Sequence, residues 1–414
     1  MQKNIKLNNG ITANLIDSPK TPRTAITIFF SFSELENRAG LMTVLNRLLL
    51  QGTKTRSAEV LANELDENAI ELYSELKNDF LRLRVLALND DFDYALELVE
   101  DIIKNSTFEN FDEEVEKIKG ELTADLDSAR ARAQDDYYNT IFGDHPYGIG
   151  SSRILANIDN LTKDDVKNKY KSLISNSKIN ICVVGSIDFG KISSLLEKHF
   201  GDLKNSDNTL NAEKYVLTED KISTVVKEDA NQAQINKGWI LPDINSEDRH
   251  KFMLLNTILG SGGMTSRLFS ELREKKGLAY VVRSLLESNA LASCFTVYIA
   301  TEPKNILTCL EGFQTEIDKI QNVLLTDEEL EDAKNNLIGR RQFYYETNLL
   351  KATMSGLQEV YSFPENYEEI LAEKIRSTTK EELMECAKRC FSTPSVLSVL
   401  APSEFLKSAG LEKK

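Results

Sequence analysis

The chain has 414 residues, 41% of them hydrophobic and 28% charged, and a formal net charge of −15. That length exceeds one typical core and predicts two to three domains of ordinary globular composition. No run of about 18 apolar residues exists, which excludes a helical membrane span. The acidic balance disfavours nucleic acid and anionic lipid but tolerates basic peptides, and it also serves simply to keep a protein dispersed.

Met1 to Leu7 contains no apolar stretch of the secretory kind, which predicts a cytoplasmic protein, or a periplasmic one if a leader has been removed. Ile5–Leu7, the turn Asn8-Asn9-Gly10 and Ile11–Ile16 read as strand, turn and strand. Ala25–Phe32 predicts another strand, and Leu41–Leu50 a helix with Leu41, Val44, Leu45 and Leu48 on one face. Ser57 opens a helix to Glu67, Asp79–Ala87 alternates as a strand, and Phe92–Ser106 and Asp112–Thr140 are helical patterns. Ile179–Val184 is a buried strand ended by Gly185.

From Gly201 to about Ala230 the chain turns polar, and the same order of elements then repeats. Leu45–Leu49 lines up with Leu255–Leu259 at a shift of 210, while Glu64–Glu67 lines up with Glu271–Glu274, and Tyr73 with Tyr280, at 207. Two homologous α+β domains are expected, each an antiparallel-rich sheet covered by helices: 1–205, a polar linker 206–228, and 229–414.

Five scattered cysteines (Cys182, Cys294, Cys309, Cys386, Cys390) suit reduced thiols. Cys386 and Cys390 share a helix face, but no histidine is near in sequence, so buried thiols are favoured over a metal pair. His145, His199 and His250 are too far apart in sequence to form a histidine-built zinc site.

The most specific run is Leu259 to Tyr280. Gly260 can end one helix in a left-handed cap, Gly262 and Gly263 allow a close backbone approach, and Thr265 or Ser266 can cap the next helix. Leu268, Phe269 and Leu272 bury one face, Lys275 and Lys276 suit the C-terminal end, and Gly277 terminates it. The reversal brings Arg273 and Tyr280 to one end of the domain, a permanent cation and a phenol able to address one carbonyl. Taken singly, each would pass for a surface charge and an ordinary strand aromatic.

This run resembles the second-domain signature of the insulinase/pitrilysin-like metallopeptidases, in which an Arg and a Tyr seven residues apart serve the peptide. Gly40 to Thr53 resembles the family's active-site helix, roughly G-L-A-H-x-x-E-H-x-x-x-x-G-T in active members. Leu7–Ile11 and Gly143–Gly148 extend the likeness over nearly the whole chain. Here Thr43 and Arg47 stand at the two ligand histidines and Asn46 at the catalytic glutamate; Glu121, or Asp125 one turn later, falls where the third ligand is expected. An amide cannot accept the proton of a metal-bound water, so this helix lacks both ligands and base.

The resemblance implies paired α+β domains closing as a clamshell over unfolded peptides, with Gly260, Gly262 and Gly263 at the substrate. It implies that Arg273 holds substrate and that Tyr280 bonds the scissile carbonyl and its oxyanion. Some members of the family are pairs, one subunit with zinc and one with the Arg/Tyr motif. The expectation is therefore a non-zinc subunit of a heterodimeric peptidase, holding no cofactor itself and inactive alone, with zinc in a homologous H-x-x-E-H partner. Its substrates would be short or unfolded peptides added to a sheet edge. The rival is a catalytically inactive scaffold or peptide-binding homologue, which would have no need of Arg273 and Tyr280. A zinc enzyme with a rearranged site is disfavoured by the scattered histidines. Arg47 is expected to pair with Glu121 in the vacated site, buried, unless both are exposed.

Overall fold

A computed structural model describes residues 1–412. The chain packs as two compact units. One comprises Met1–Glu121, Arg153–Ala212 and Gln342–Glu365; the other comprises Leu122–Ser152, Glu213–Arg341 and Asn366–Lys414.

The first unit holds β1 (Gln2–Lys6), β2 (Thr12–Asp17), β3 (Arg23–Ser31), β4 (Glu71–Leu76), β5 (Phe80–Leu88) and β6 (Lys178–Gly185), ordered β1-β2-β6-β3-β5-β4. Only β2 and β6 run parallel; the other neighbours are antiparallel. The second unit holds β7 (Lys221–Val226), β8 (Ala233–Leu241), β9 (Ala279–Ser288), β10 (Ser293–Thr301) and β11 (Ser395–Ala401), ordered β7-β11-β8-β10-β9, again with one parallel pair, β7 and β11. Apart from β1 the two topologies are identical. Tyr73 lies on β4 and Tyr280 on β9, the edge strand of each sheet, as their common shift implies. The architecture is the expected two-domain α+β fold.

The units nevertheless do not follow chain order. Thr27 on β3 donates to the Ala352 carbonyl at 3.0 Å, Asn14 Nδ2 on β2 to Ser355 Oγ at 2.6 Å, and Asn180 Nδ2 on β6 to the Gly356 carbonyl at 3.1 Å. A polar sheet face thus receives helix Asn348–Val360 from the far end of the chain, and Gly356 fits because a Cβ there would lie 2.2 Å from the Phe29 ring. The second sheet is matched in kind. Helix Ala129–Phe142 sends Asp136 to the hydroxyls of Ser223 and Ser398, each at 2.9 Å, and Tyr137 to Thr296 at 2.8 Å, over the side-chain-free surface of Gly238.

Two sequence expectations change. The pattern over 112–140 is two helices, Phe111–Asp127 and Ala129–Phe142, because Ser128 leaves helical geometry (φ −70°, ψ 126°). The stretch 206–228 is not all linker: Lys221–Val226 forms β7, its alternating residues pairing in parallel with β11.

Candidate functional site

In the second unit, helix Arg249–Asn256 runs on into a π-helical turn, Thr257–Ser261, closed by the Gly262 N–H on the Thr257 carbonyl at 2.9 Å. Gly260 is inside this turn and takes no left-handed cap. It is glycine because β9 passes directly over it: a Cβ would lie 2.2 Å from the Ser284 nitrogen and 2.8 Å from the Arg283 carbonyl carbon. The left-handed residue is Gly263 (φ +85°), with open space around it. Ser266 then donates to the Gly263 carbonyl at 2.7 Å, and the following helix ends in a π-helical segment, Phe269–Lys275. Such wide turns cluster at functional places. A cavity of about 650 Å³ opens beside the loop between Gly262, Thr265 and Ser266 on one side and Glu328, Asp332 and Asn336 on the other, an acidic wall suited to a basic group.

Gly277 (φ +63°) terminates the helix as expected, its N–H on the Arg273 carbonyl at 3.1 Å and that of Leu278 on the Leu272 carbonyl at 2.9 Å. Leu268 and Leu272 are buried, with Phe269 packed against their cluster. The reversal brings Arg273 and Tyr280 into contact. Arg273 Nη1 donates to the Tyr280 carbonyl at 2.7 Å, and its guanidinium carbon lies 4.9 Å from the Tyr280 ring centroid and 4.6 Å from that of Phe269. Arg273 is therefore stacked between two rings and fixes the backbone of β9 where Tyr280 leaves it. Tyr280 is 77% exposed, and its hydroxyl meets no partner among the described residues. It is a donor held at its root and free at its tip.

In the first unit, helix Leu41–Leu48 presents Thr43, Asn46 and Arg47 along its less buried side. Ser74 on β4 donates to Asn46 Oδ1 at 2.6 Å. Arg47 bonds Glu121 through Nη2, and its Nη1 stands 3.7 Å from Glu114. The pair of Arg47 and Glu121 forms, but it is not buried: the two side chains are 37% and 56% exposed. The buried carboxylate is Glu114, at 4%. Glu114 had a sequence signal, since seven residues place it on the face of Glu121 two turns away. Phe269 had one too, standing four residues before Arg273 on the same helix, whereas Ser74 had none. Glu36, half-buried, accepts the Met42 N–H at 2.9 Å at the head of this helix, and desolvation raises its carboxyl above the usual range.

Residues 15–151 match the family model of the insulinases, peptidase family M16, and residues 160–337 match that of the peptidase M16 inactive domain. The chain belongs to peptidase family M16. An uncharacterized zinc protease of Rickettsia felis is 28% identical over 96% of this chain and 97% of its own length. The uncharacterized zinc protease YmxG of Bacillus subtilis is 24% identical over 97% and 99%. Among solved structures, a peptidase M16 inactive domain from Pseudomonas fluorescens superposes with a TM-score of 0.85 at 19% identity, covering 97% of this chain and 98% of that one. A protease from Helicobacter pylori gives 0.84 at 20%, covering 97% and 100%. At such identities these two speak for the fold.

In this M16 chain the zinc-helix positions do not fit a zinc ion. A guanidinium already lies between the two carboxylates that would face it, and Thr43 and Asn46 offer neither imidazole nor a proton acceptor. The remaining histidines lie elsewhere. His199, for one, is buried, with Nδ1 2.6 Å from Glu100 and Nε2 3.0 Å from Asp93. All five cysteines are free and buried. No helix among the described residues is long and apolar enough to cross a membrane.

Proposed function

We propose that this chain is the non-zinc subunit of a heterodimeric M16 metallopeptidase, supplying Arg273 and Tyr280 to the zinc site of a homologous H-x-x-E-H partner. The observation that carries this reading is the asymmetry of the chain. The metal positions are occupied by an Arg–Glu ion pair, while the Arg/Tyr pair is assembled and its phenol faces solvent. A site abandoned as a whole would leave no reason to build the second half so tightly.

In the pair, zinc resides in the partner and supplies the Lewis acid and the activated water. The substrate is an unfolded peptide that pairs with a sheet edge, and β4 and β9 each present one. Tyr280 donates its O–H to the scissile carbonyl oxygen and more strongly to the oxyanion that develops there. Arg273 acts by position: its bond to the Tyr280 carbonyl holds the strand from which the phenol projects. Alone, the chain cleaves nothing.

The test is steady-state kinetics on the chain reconstituted with its zinc-bearing homologue. Tyr280→Phe keeps the ring and removes the donor, so turnover should fall by roughly 10²–10³ with little change in peptide binding or assembly. Full activity of that variant pair would leave a scaffold role. Chelator-sensitive cleavage by the pure single chain would overturn the subunit assignment itself.

A further inference from the structure

Two arginines approach the ring of Tyr298 on β10. The guanidinium carbon of Arg283 is 5.6 Å from its ring centroid and that of Arg130, in the first turn of helix Ala129–Phe142, is 5.8 Å away. Neither arginine has a carboxylate within ion-pair distance or any hydrogen-bond partner among the described residues, although the chain carries 65 acidic residues. Glu287, on the same strand as Arg283, is engaged instead by the Tyr138 hydroxyl. Arg283 Nε is buried and unpartnered. So is Nδ2 of Asn236, a residue only 5% exposed, and both side chains line one notch of about 20 Å³ together with Arg130, Gln134, Thr296 and Tyr298.

Buried donors are almost always satisfied, and stacking on a ring does not satisfy a guanidinium's N–H groups. Two like charges against one ring also repel. The first turn of the helix adds the positive end of its dipole and contains no acidic residue. A space of about 20 Å³ seats one water-sized atom. The donors present, two guanidiniums and an amide, suit a planar oxyanion with one oxygen in the notch and the other at its mouth.

We propose that Arg130, Arg283 and Asn236 form a carboxylate-binding site for the bound peptide, taking either its C-terminal carboxylate or an acidic side chain. The proposal rests on the peptide-binding reading above and extends it: the substrate is held by an anionic group as well as by its backbone. Neither arginine belongs to the Arg273 and Tyr280 pair.

Three dansyl-labelled decapeptides distinguish the sources: one with uncharged side chains and a free C-terminal carboxylate, its C-terminal amide, and the amide with one internal glutamate. Fluorescence anisotropy with the full chain gives each affinity. The free acid or the glutamate peptide should bind at least about tenfold more tightly than the plain amide, the lower end for hydrogen bonds to a charged group. High salt should shrink that advantage. Arg130→Gln, at an exposed side chain and checked for fold by circular dichroism, should erase it. Arg283→Lys, checked for fold by circular dichroism, should retain part of it. Equal binding of all three peptides, or an advantage that survives Arg130→Gln, would overturn the site but leave peptide binding intact. Binding of none would remove the peptide reading and this site with it.

Discussion

Gly260→Ala isolates the packing of the loop against β9. Alanine is favoured over glycine in a helical turn by about 1 kcal/mol. The added Cβ, however, would lie 2.2 Å from the Ser284 nitrogen and 2.8 Å from the Arg283 carbonyl carbon. These are backbone atoms of a strand laddered to β10, not the ends of flexible side chains, so β9 must retreat by nearly an ångström. Overpacking of this kind typically costs about 1–3 kcal/mol. Gly339 in helix Asp327–Gln342 is the internal control: a Cβ there meets nothing within 4 Å. Gly339→Ala should therefore gain up to about 1 kcal/mol; the propensity gain is common to both sites, so the two variants should differ by the overpacking cost, about 1–3 kcal/mol. Thermal and urea unfolding measure the difference directly, at roughly 2–4 °C per kcal/mol for a unit of this size. Because β9 carries Tyr280, Gly260→Ala should also lower turnover of the reconstituted pair. Equal stability of the two alanine variants would refute the close approach.

Arg47→Ala should change stability by no more than about 1 kcal/mol, since its ion pair with Glu121 is half exposed; a loss above about 3 kcal/mol in urea titrations would mean the charges are buried after all. Glu36→Gln keeps the acceptor for the Met42 N–H and removes a charge that burial disfavours, so unfolding midpoints at pH 7 should hold or rise, and a fall would show that the carboxylate charge is needed. The buried thiols should resist a disulfide reagent at pH 8 until denaturant is added, and rapid native labelling of any one would contradict their burial. Burial pushes the Cys182 and Cys294 thiols up to about 12, so the stability they contribute is complete below their unfolded value, near 8.5, and is lost as pH rises from there through about 12; alkaline unfolding midpoints should fall over that window, and less so in Cys182→Ala.

The two-domain repeat was legible because hydrophobic alternation marks individual strands and the 207-residue shift aligns Tyr73 with Tyr280; that both tyrosines lie on edge strands was not, since strand order is set by contacts remote in sequence. The Arg273 and Tyr280 contact was legible because a helix closed by Gly277 and followed at once by a strand leaves little freedom. Gly260 misled because a glycine near a helix end suits a left-handed cap and a close backbone approach equally well, and β9, which decides between them, is remote in sequence. The exposure of Arg47 and Glu121 was not legible either: alignment to a metal site gives adjacency but not depth. The crossing of helices Ala129–Phe142 and Asn348–Val360 to their sheets left only a faint trace, the Asn14, Thr27 and Asn180 side chains on strands that otherwise read as core.

That crossing sets the order in which the protein can be finished. When a ribosome has released the chain through Ala212, every strand of the first sheet exists, yet the sheet still lacks helix Asn348–Val360. Its inner face, with Phe29 and the amides of Asn14 and Asn180, stays uncovered until the rest of the second unit's strands but β11 have been synthesised. Native folding of the first unit therefore cannot be vectorial. A gene cut in the polar stretch after Ala212 would yield two products, each missing a piece that the other encodes, and production of either half alone should give an insoluble or chaperone-bound chain.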